Sequence, residues 1–296
     1  DAAGATITAG GIEDGAQTAF FDAATTITLD EAGHAFDLVR LDGTDATLAE
    51  TTSDTAFGGA TVATGNLTVI SGGTITDVLG ASITAGGVEN NVEVASFSAG
   101  GAVTLDNAAA NNYDMLNFVA GTTATIVENS NMTLNGASSW GAAADASLSA
   151  AGDIEDFGVS SITGGNLLLL ATGGIGTADT LNITVVNVAA RHDTGLLDIT
   201  DTAGGLTVTT VLGVAGILDT ALGTAVSARV VALSPLTIAA NVTEAGAVLL
   251  QSDDSTVDLG PPGTDNITVN TGITVLSMGS SVSLQAGDSI DLQGTA

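Results

Sequence analysis

The chain has 296 residues, of which 45% are hydrophobic but only 3% aromatic, with 39 Gly and no Cys. Its 33 acidic residues outnumber three basic ones, Arg40, Arg191 and Arg229, so the formal net charge is −30. This charge excludes binding through a basic patch, which is how proteins attract nucleic acid and anionic membranes. No apolar stretch reaches the roughly 20 residues that span a bilayer, so we expect neither a nucleic-acid partner nor membrane insertion.

Short alternating segments run along the whole chain. Each places apolar residues, many of them β-branched, at every second position, which is the pattern of a strand with one inward and one outward face. In chain order the clearest segments are residues 5–9, 67–70, 92–97, 206–209, 267–269 and 282–284. The Ala-rich stretches 142–151 and 214–228 lack the apolar stripe of a helix. We therefore predict an all-β fold.

Two sets of residues recur in the sequence. Residues 27–41 contain ITLD and FDLVRL, which return within residues 103–118 as VTLD and YDMLNF at offsets of 76 and 77. Residues 65–69 (GNLTV) return as residues 165–169 (GNLLL) at an offset of 100. Self-similarity of this kind is typical of stacked-repeat architectures. We expect the returning residues to be the ones that stack, and the insertions to lie in loops.

The repeats favour a β-solenoid over the other folds that are built from short strands. A β-sandwich or a barrel does not require its sequence to repeat, whereas each coil of a solenoid lies on a similar coil about 4.8 Å away. We predict a right-handed parallel β-helix of about 15 coils with roughly 20 residues each. No linker divides the chain, so we expect a single continuous domain over residues 1–296, either whole or as a segment of a longer repeat array.

Three stretches resemble the repeats of filamentous-haemagglutinin-type proteins. They are residues 67–77 (LTVISGGTITD), 97–107 (FSAGGAVTLDN) and 282–292 (VSLQAGDSIDL). Proteins of this type are adhesins of the two-partner secretion and autotransporter kind, and giant bacterial surface proteins. The resemblance implies a parallel β-helix that is secreted and lies outside the cell or on its surface.

The parallel β-helix is also the fold of polysaccharide lyases and hydrolases. The lyases use a basic residue beside acids that hold Ca²⁺, and the hydrolases use several Asp beside a Gly-His-Gly sequence. This chain has Asp253 next to Asp254, but no Lys and no Gly-His-Gly. Its two His, His34 and His192, lie far apart in turn-like contexts, and we expect both on the surface. We therefore predict no catalytic residue, no enzyme activity and no cofactor.

Scattered acidic residues are weak candidate ligands for Ca²⁺ or another divalent cation, because these ions bind carboxylate oxygens. Residues 173–181 approach the Gly-Gly-x-Gly-x-Asp calcium nonapeptide, but Asp179 falls one place late and the motif does not recur in tandem. The sequence therefore does not define a complete cage. The candidate residues are Asp179, Asp198, Asp201, Asp253, Asp254 and Asp265.

Five Asn-x-Thr sequons are candidates for glycosylation of an exposed fibre. The alternative is that Asn-x-Thr arises wherever a turn Asn precedes a strand that begins with Thr. The five asparagines are Asn66, Asn131, Asn182, Asn241 and Asn266.

The two ends of the sequence bear on its function. Residues 5–11 and 289–294 are both in repeat-like register and carry no polar cap, and uncapped strand edges template further pairing. We predict a non-enzymatic extracellular structural protein, a β-solenoid subunit that stacks head to tail with copies of itself into a filament or matrix fibre. Other surface or biofilm-matrix components are further candidate partners. The alternative is the rod-like stalk of a secreted cell-surface adhesin.

Overall fold

The computed structural model describes residues 7–9, 17–31, 33–86, 89–107, 111–221, 227–252 and 265–294. Within these ranges the chain forms strands and turns and no α-helix. It divides into two compact units, Asp1–Gly141 and Ala142–Ala296. In each unit parallel strands stack turn upon turn, which confirms the predicted parallel β-solenoid. The right-handed coil and the single continuous domain stay predictions.

The strands of the first unit are short and pair in parallel with the next turn. They are β1 (Thr8–Ala9), β2 (Thr18–Asp22), β3 (Ile27–Leu29), β4 (Ala35–Phe36), β5 (Leu38–Gly43), β6 (Ala46–Glu50), β7 (Thr55–Phe57), β8 (Ala60–Ala63), β9 (Leu67–Ser71), β10 (Ile75–Asp77), β11 (Ser82–Ala85), β12 (Val94–Ala99), β13 (Val103–Leu105), β14 (Asn112–Tyr113), β15 (Met115–Ala120), β16 (Ala124–Glu128) and β17 (Met132–Ser139). Ile27 pairs with Ala46, Ala46 with Leu67, Leu67 with Ala95, and Ala95 with Leu116. Each step of this series is one turn of the solenoid, and the longest step is the one from Leu67 to Ala95.

The second unit is built in the same way. Its strands are β18 (Asp145–Ala150), β19 (Ile154–Ala171), β20 (Leu181–His192), β21 (Leu197–Asp201), β22 (Leu206–Val208), β23 (Thr210–Val211), β24 (Val214–Ala215), β25 (Ile217–Asp219), β26 (Ala228–Ala232), β27 (Leu236–Ile238), β28 (Val242–Glu244), β29 (Val248–Ser252), β30 (Ile267–Val269), β31 (Val275–Ser277), β32 (Val282–Ala286) and β33 (Ile290–Leu292). Asn166 pairs with Asn187, Asn187 with Thr207, Thr207 with Thr237, and Thr237 with Thr268. The last two steps are longer than the first two.

The turns are slightly longer than the sequence indicated. In the part of the chain that the structure describes, the two units contain about 12 turns of roughly 21 residues, where we predicted about 15 turns of roughly 20 residues for the whole chain. Some turns carry insertions, such as the turn from Leu67 to Ala95 and the turn from Thr207 to Thr237. The strands keep their register across these insertions. The extra residues lie between the strands of the core, although in the turn from Thr207 to Thr237 they include the short strands β23 and β24 and not loops alone.

The core is a set of columns in which inward side chains lie on one another. One column of the first unit runs Leu29, Leu48, Val69, Phe97 and Phe118, and every member is buried. The residues between them point outward, because successive side chains of a strand alternate between its two faces. Small and medium aliphatic side chains therefore suffice for a narrow core, which explains the low aromatic content.

A hairpin in the second unit adds a small apolar cluster outside the core. Strands β23 and β24 are antiparallel and joined by Leu212 and Gly213, both with positive φ (50° and 83°), as a tight hairpin turn requires. Val211 of this hairpin packs against Leu168 and Ala189, which point outward from β19 and β20. The hairpin thereby covers apolar side chains that the repeat pattern places on the outer face.

Truncation of a column residue tests the stacked core. Leu48 is fully buried between Leu29 and Val69, so Leu48→Ala is expected to lower the free energy of unfolding by about 2–5 kcal/mol through lost burial and the cavity left behind. Thr47 is its outward-facing neighbour, and Thr47→Ala is expected to stay within about 0.5 kcal/mol of wild type. Urea denaturation measures both values. Equal losses for the two variants would contradict the assignment of inward and outward faces.

Candidate functional site

Buried carboxylates lie beside both copies of the repeat that has offsets of 76 and 77, and they are themselves 78 residues apart. Glu50 Oε1 accepts a hydrogen bond of 2.7 Å from the backbone N–H of Phe36. In the second copy Glu128 Oε1 accepts one of the same length from Tyr113 N–H. Both Glu side chains are buried. Each therefore satisfies an amide that would otherwise be costly to bury.

An edge-to-face aromatic pair belongs to the same repeat. The ring centroids of Phe21 and Phe36 lie 5.3 Å apart, and those of Phe97 and Tyr113 lie 5.6 Å apart. Sequence reasoning missed Phe21 and Phe97 as members of the repeat, and the two Glu beside it. The signal was present, since Phe21 and Phe97 are related by the same offset as the ITLD and VTLD segments.

The Asp that follows the aromatic residue holds a loop in both copies. Asp37 Oδ2 accepts a hydrogen bond of 2.8 Å from Gln17 N–H. Asp114 accepts four, of 2.6 to 2.9 Å, from the backbone N–H groups of residues 90–93. Burial would raise the pKa of Asp114, but these four donors outweigh it and lower the pKa. The returning residues therefore do more than stack, which the sequence analysis did not anticipate.

The second repeat, which relates residues 65–69 to residues 165–169, marks a polar ladder between turns. Asp45 Oδ1 accepts a hydrogen bond of 2.8 Å from Asn66 N–H. In the second copy Asp145 Oδ1 accepts one of 2.6 Å from Asn166 Nδ2, and Asn166 Oδ1 accepts one of 2.7 Å from Asn187 Nδ2. Asp45 and Asp145 are related by the same offset as Asn66 and Asn166, so extending the sequence comparison by one turn would have found them.

The asparagines of the sequons bond to neighbouring parts of the fold. The side-chain oxygens of Asn66 and Asn241 accept hydrogen bonds of 2.9 Å from Val94 N–H and Thr274 N–H. The other three side chains bond as follows: Asn131 to Glu89, Asn182 to Asp156, and Asn266 to Ser289. Asn182 lies inside β20, whereas the other four directly precede a strand whose second residue is Thr. These contacts give the asparagines a structural role, and their glycosylation stays a prediction.

The predicted cation ligands do not converge where the structure describes them. Asp179 is exposed, and Asp198 Oδ1 forms a 2.7 Å ion pair with Arg229. Asp201 and Asp265 are buried in the fold, while Asp253 and Asp254 lie outside the described residues. In the described part of the chain, no group of three or more His, Cys, Asp or Glu side chains is arranged to hold a metal ion.

The prediction that both His lie on the surface was wrong. The side chains of His34 and His192 are fully buried. His34 Nδ1 accepts a hydrogen bond of 2.9 Å from Ile7 N–H, and its ring stacks on Phe36 at 5.9 Å. His192 lies at the end of β20 and contacts Glu244 and Gly195. Turn-like sequence context misled the prediction, because in this fold the inward position at a strand end holds polar residues that bond to the adjoining corner.

Asp201 is a buried carboxylate with a strongly perturbed pKa. It occupies the inward position at the end of β21, where its Oδ1 accepts one hydrogen bond of 3.4 Å from Val185 N–H. Its Oδ2 has no hydrogen-bond partner among the described residues. Burial raises the pKa of Asp201 to about 7, against a weaker lowering by backbone N–H groups. The folded protein therefore keeps a proton on Asp201 over a range in which the unfolded chain has lost it.

The last described turn, formed by β31, β32 and β33, is the candidate functional site. Its inward residues continue the columns of the core, since Ile290 pairs with Ile267 and Leu292 follows Val269 in the same register. Ile267 and Val269 are only 0% and 8% exposed, whereas Ile290 and Leu292 are 44% and 63% exposed. The described residues thus leave the inward face of this turn uncovered.

The same turn borders an open apolar cavity of about 440 Å³. Val282, Leu284 and Leu292 line it from the last described turn, and Val269 and Ile273 line it from the preceding segment. Within the described residues, β31, β32 and β33 each pair with another strand on one side only. An unpaired strand edge beside exposed apolar side chains can accept a further strand by backbone hydrogen bonds and apolar burial.

No family model, curated protein or solved structure matches the chain. Over the described ranges, no helix has both the length and the apolar character needed to cross a membrane.

The Asp201→Asn variant tests the perturbed carboxylate. Because the pKa is raised in the folded state, ionisation of Asp201 makes wild type progressively less stable between about pH 4 and pH 7. The variant cannot ionise, so its stability relative to wild type is expected to rise over this window and to level off above pH 7. Urea denaturation at a series of pH values measures the difference. The exposed Asp179→Asn variant serves as the control, and a difference for Asp201→Asn that does not change with pH would contradict the account.

Proposed function

We propose that the protein is a non-enzymatic extracellular structural subunit whose solenoid turns stack end to end into a filament or matrix fibre. The observation that carries the proposal is the pairing of successive turns, in which each turn pairs in parallel with the next along the solenoid. A turn of a second copy placed on β31, β32 and β33 would pair with their free edges in the way that successive turns pair within each unit. A second copy is the natural occupant, because its turns repeat the strand length, spacing and inward apolar pattern.

Charge determines how such subunits associate. At a net charge of −30, subunits side by side repel one another, and salt screens this repulsion over about 10 Å at 0.1 M. Contact through the apolar face of the last turn requires fewer like charges to meet, which favours end-to-end over lateral association. Divalent cations would then promote bundling of filaments by bridging surface carboxylates, without a dedicated cage in the protein.

We also propose that the chain is a protein of the filamentous-haemagglutinin type. The residues that carry the resemblance, 67–77, 97–107 and 282–292, form strands and corners of turns that pair in register with their neighbours. Proteins with such repeats are exported, so the proposal places the chain outside the cell or on its surface, in contact with copies of itself and with other surface or biofilm-matrix components. Cofactors are not part of the proposal.

The second candidate function is the stalk of a secreted adhesin, in which the solenoid is a passive spacer. The burial of Trp140 and Tyr113 favours passivity over recognition along the side of the solenoid. Glycan binding there would use exposed aromatic platforms, and neither of these large side chains is available for it. In this alternative the adhesive site lies on another part of the adhesin.

Charged substitutions on β32 test the proposed assembly. Leu284 points inward and lines the open cavity, whereas its neighbour Ser283 points outward. We expect wild type to form filaments that grow with protein concentration, Leu284→Asp to remain unassembled, and Ser283→Asp to assemble like wild type. Negative-stain electron microscopy and light scattering measure this, with circular dichroism to confirm that each variant is folded. The proposal fails if wild type stays monomeric across salt and Ca²⁺ titrations, or if folded Leu284→Asp assembles as well as Ser283→Asp.

A further inference from the structure

One corner of the second unit holds a buried column of ionisable side chains, which we name the His192 corner: His192, Asp219 and Glu244. His192 pairs with Asp219, and Leu218 pairs with Thr243, so Asp219 lies opposite Glu244 on the next turn. All three side chains are fully buried. Three turns therefore place one imidazole and two carboxylates at the same inward position, where burial of unpaired charge is costly.

Both nitrogens of the His192 ring face acceptors. Nδ1 lies 2.8 Å from the carbonyl oxygen of Gly195, and Nε2 lies 3.2 Å from Glu244 Oε1. A carbonyl oxygen accepts only, so Nδ1 must carry a hydrogen. The contact between Nε2 and Oε1 then needs a second proton, either on the imidazole or on the carboxyl group. Without that proton, a nitrogen lone pair faces a carboxylate oxygen inside the protein.

Asp219 connects the same corner to the backbone of two turns. Its Oδ1 accepts a hydrogen bond of 2.9 Å from Ala221 N–H, and its Oδ2 accepts one of 3.3 Å from Ala245 N–H. His192 O accepts a further bond of 2.9 Å from Thr220 N–H. Any change in charge at His192 and Glu244 therefore acts directly on the residues that fix the course of the chain after β25 and β28.

Among the described residues stacked on the corner, the two next members of the column carry no compensating charge. The next residue of the column on β31 is Ser277, which pairs with Glu244. On the other side Leu170 pairs with Arg191, so Ala171 of β19 lies next to His192. Neither Ser277 nor Ala171 titrates. Glu244 Oε2 has no hydrogen-bond partner among the described residues, so loss of the shared proton leaves an uncompensated buried charge on Glu244.

We propose that the His192 corner is a proton-operated latch, which holds successive turns of the second unit together while the proton between His192 and Glu244 is present and loosens them when it is lost. The pH thereby controls how stably the successive turns of this part of the solenoid are held together. It acts within one chain and does not depend on assembly into filaments.

The direction of the pH response follows from the local charges. Burial would lower the pKa of His192, but the hydrogen bond and charge of Glu244, the Gly195 carbonyl and the charge of Asp219 outweigh it, so the pKa is raised above 6.5. Burial raises the pKa of Glu244 as well. The folded corner thus binds more protons than the unfolded chain, and the stability that the shared proton contributes is lost as pH rises through the folded pKa of His192.

Amide hydrogen exchange of the unassembled full chain tests the latch. Protection factors of residues 219–221 and 244–246, corrected for the intrinsic effect of pH, are expected to fall by up to about tenfold for each pH unit between about pH 6.5 and the folded pKa of His192, and to level off above it. In Glu244→Gln the amide can donate to Nε2 of a neutral imidazole, so the protection factors should not change between pH 6 and pH 9. The Gly121 amide, bonded to Ala99 O in the first unit, is the internal reference.

Two results would overturn the proposal. One is protection of the wild-type corner that does not change with pH relative to the Gly121 reference. The other is the same pH dependence in wild type and in Glu244→Gln. If Glu244→Gln does not fold, NMR titration of ¹³C-labelled histidines in wild type decides, with His34→Gln used for assignment. A His192 pKa at or below 6.5 rejects the latch, and a pKa above 6.5 supports it.

Discussion

The structure depends on one constraint: each inward position of a turn lies on the same position of the next turn. Parallel strands about 4.8 Å apart bring equivalent side chains into contact, so a column tolerates only neighbours of compatible size and polarity. The column from Leu29 to Phe118 satisfies this with apolar side chains alone. Because every turn supplies part of the surface that covers its neighbour, a narrow core with few aromatic residues is sufficient.

The same constraint explains the buried polar residues. A strand end places its last inward side chain beside the backbone of a corner, where amides need acceptors. Glu128 bonds to Tyr113 N–H, and Asp219 bonds to two corner amides. At these corners carboxylate oxygens accept the hydrogen bonds of the buried backbone amides. Part of the acidic composition of the chain is therefore structural. Raised pKa values at Asp201, Glu128 and Glu244 show that this placement couples the fold to pH.

The alternation of apolar residues at every second position predicted the strands, and the recurring segments predicted the solenoid. Alternating segments such as residues 67–70 form strands, as predicted. The recurring segments also form strands, but their copies lie in different columns, since Leu29 stacks on Leu48 whereas Leu105 stacks on Ile126. The buried positions of His192 and Asp201 could not be predicted in this way. A polar residue at a strand end looks the same in sequence whether it points into a corner or into solvent, and only the register of the neighbouring turns distinguishes the two. The uncovered face of β31, β32 and β33 likewise depends on which turn lies next to them.

Pairing between turns is the basis of the fold and, in the proposed function, also the means of assembly. The most direct test is X-ray diffraction from aligned filaments of the purified protein. End-to-end stacking predicts a reflection at about 4.8 Å along the filament axis, since the strands would then run across it. A reflection at about 4.8 Å perpendicular to the axis would show that the subunits associate side by side, and would contradict the account.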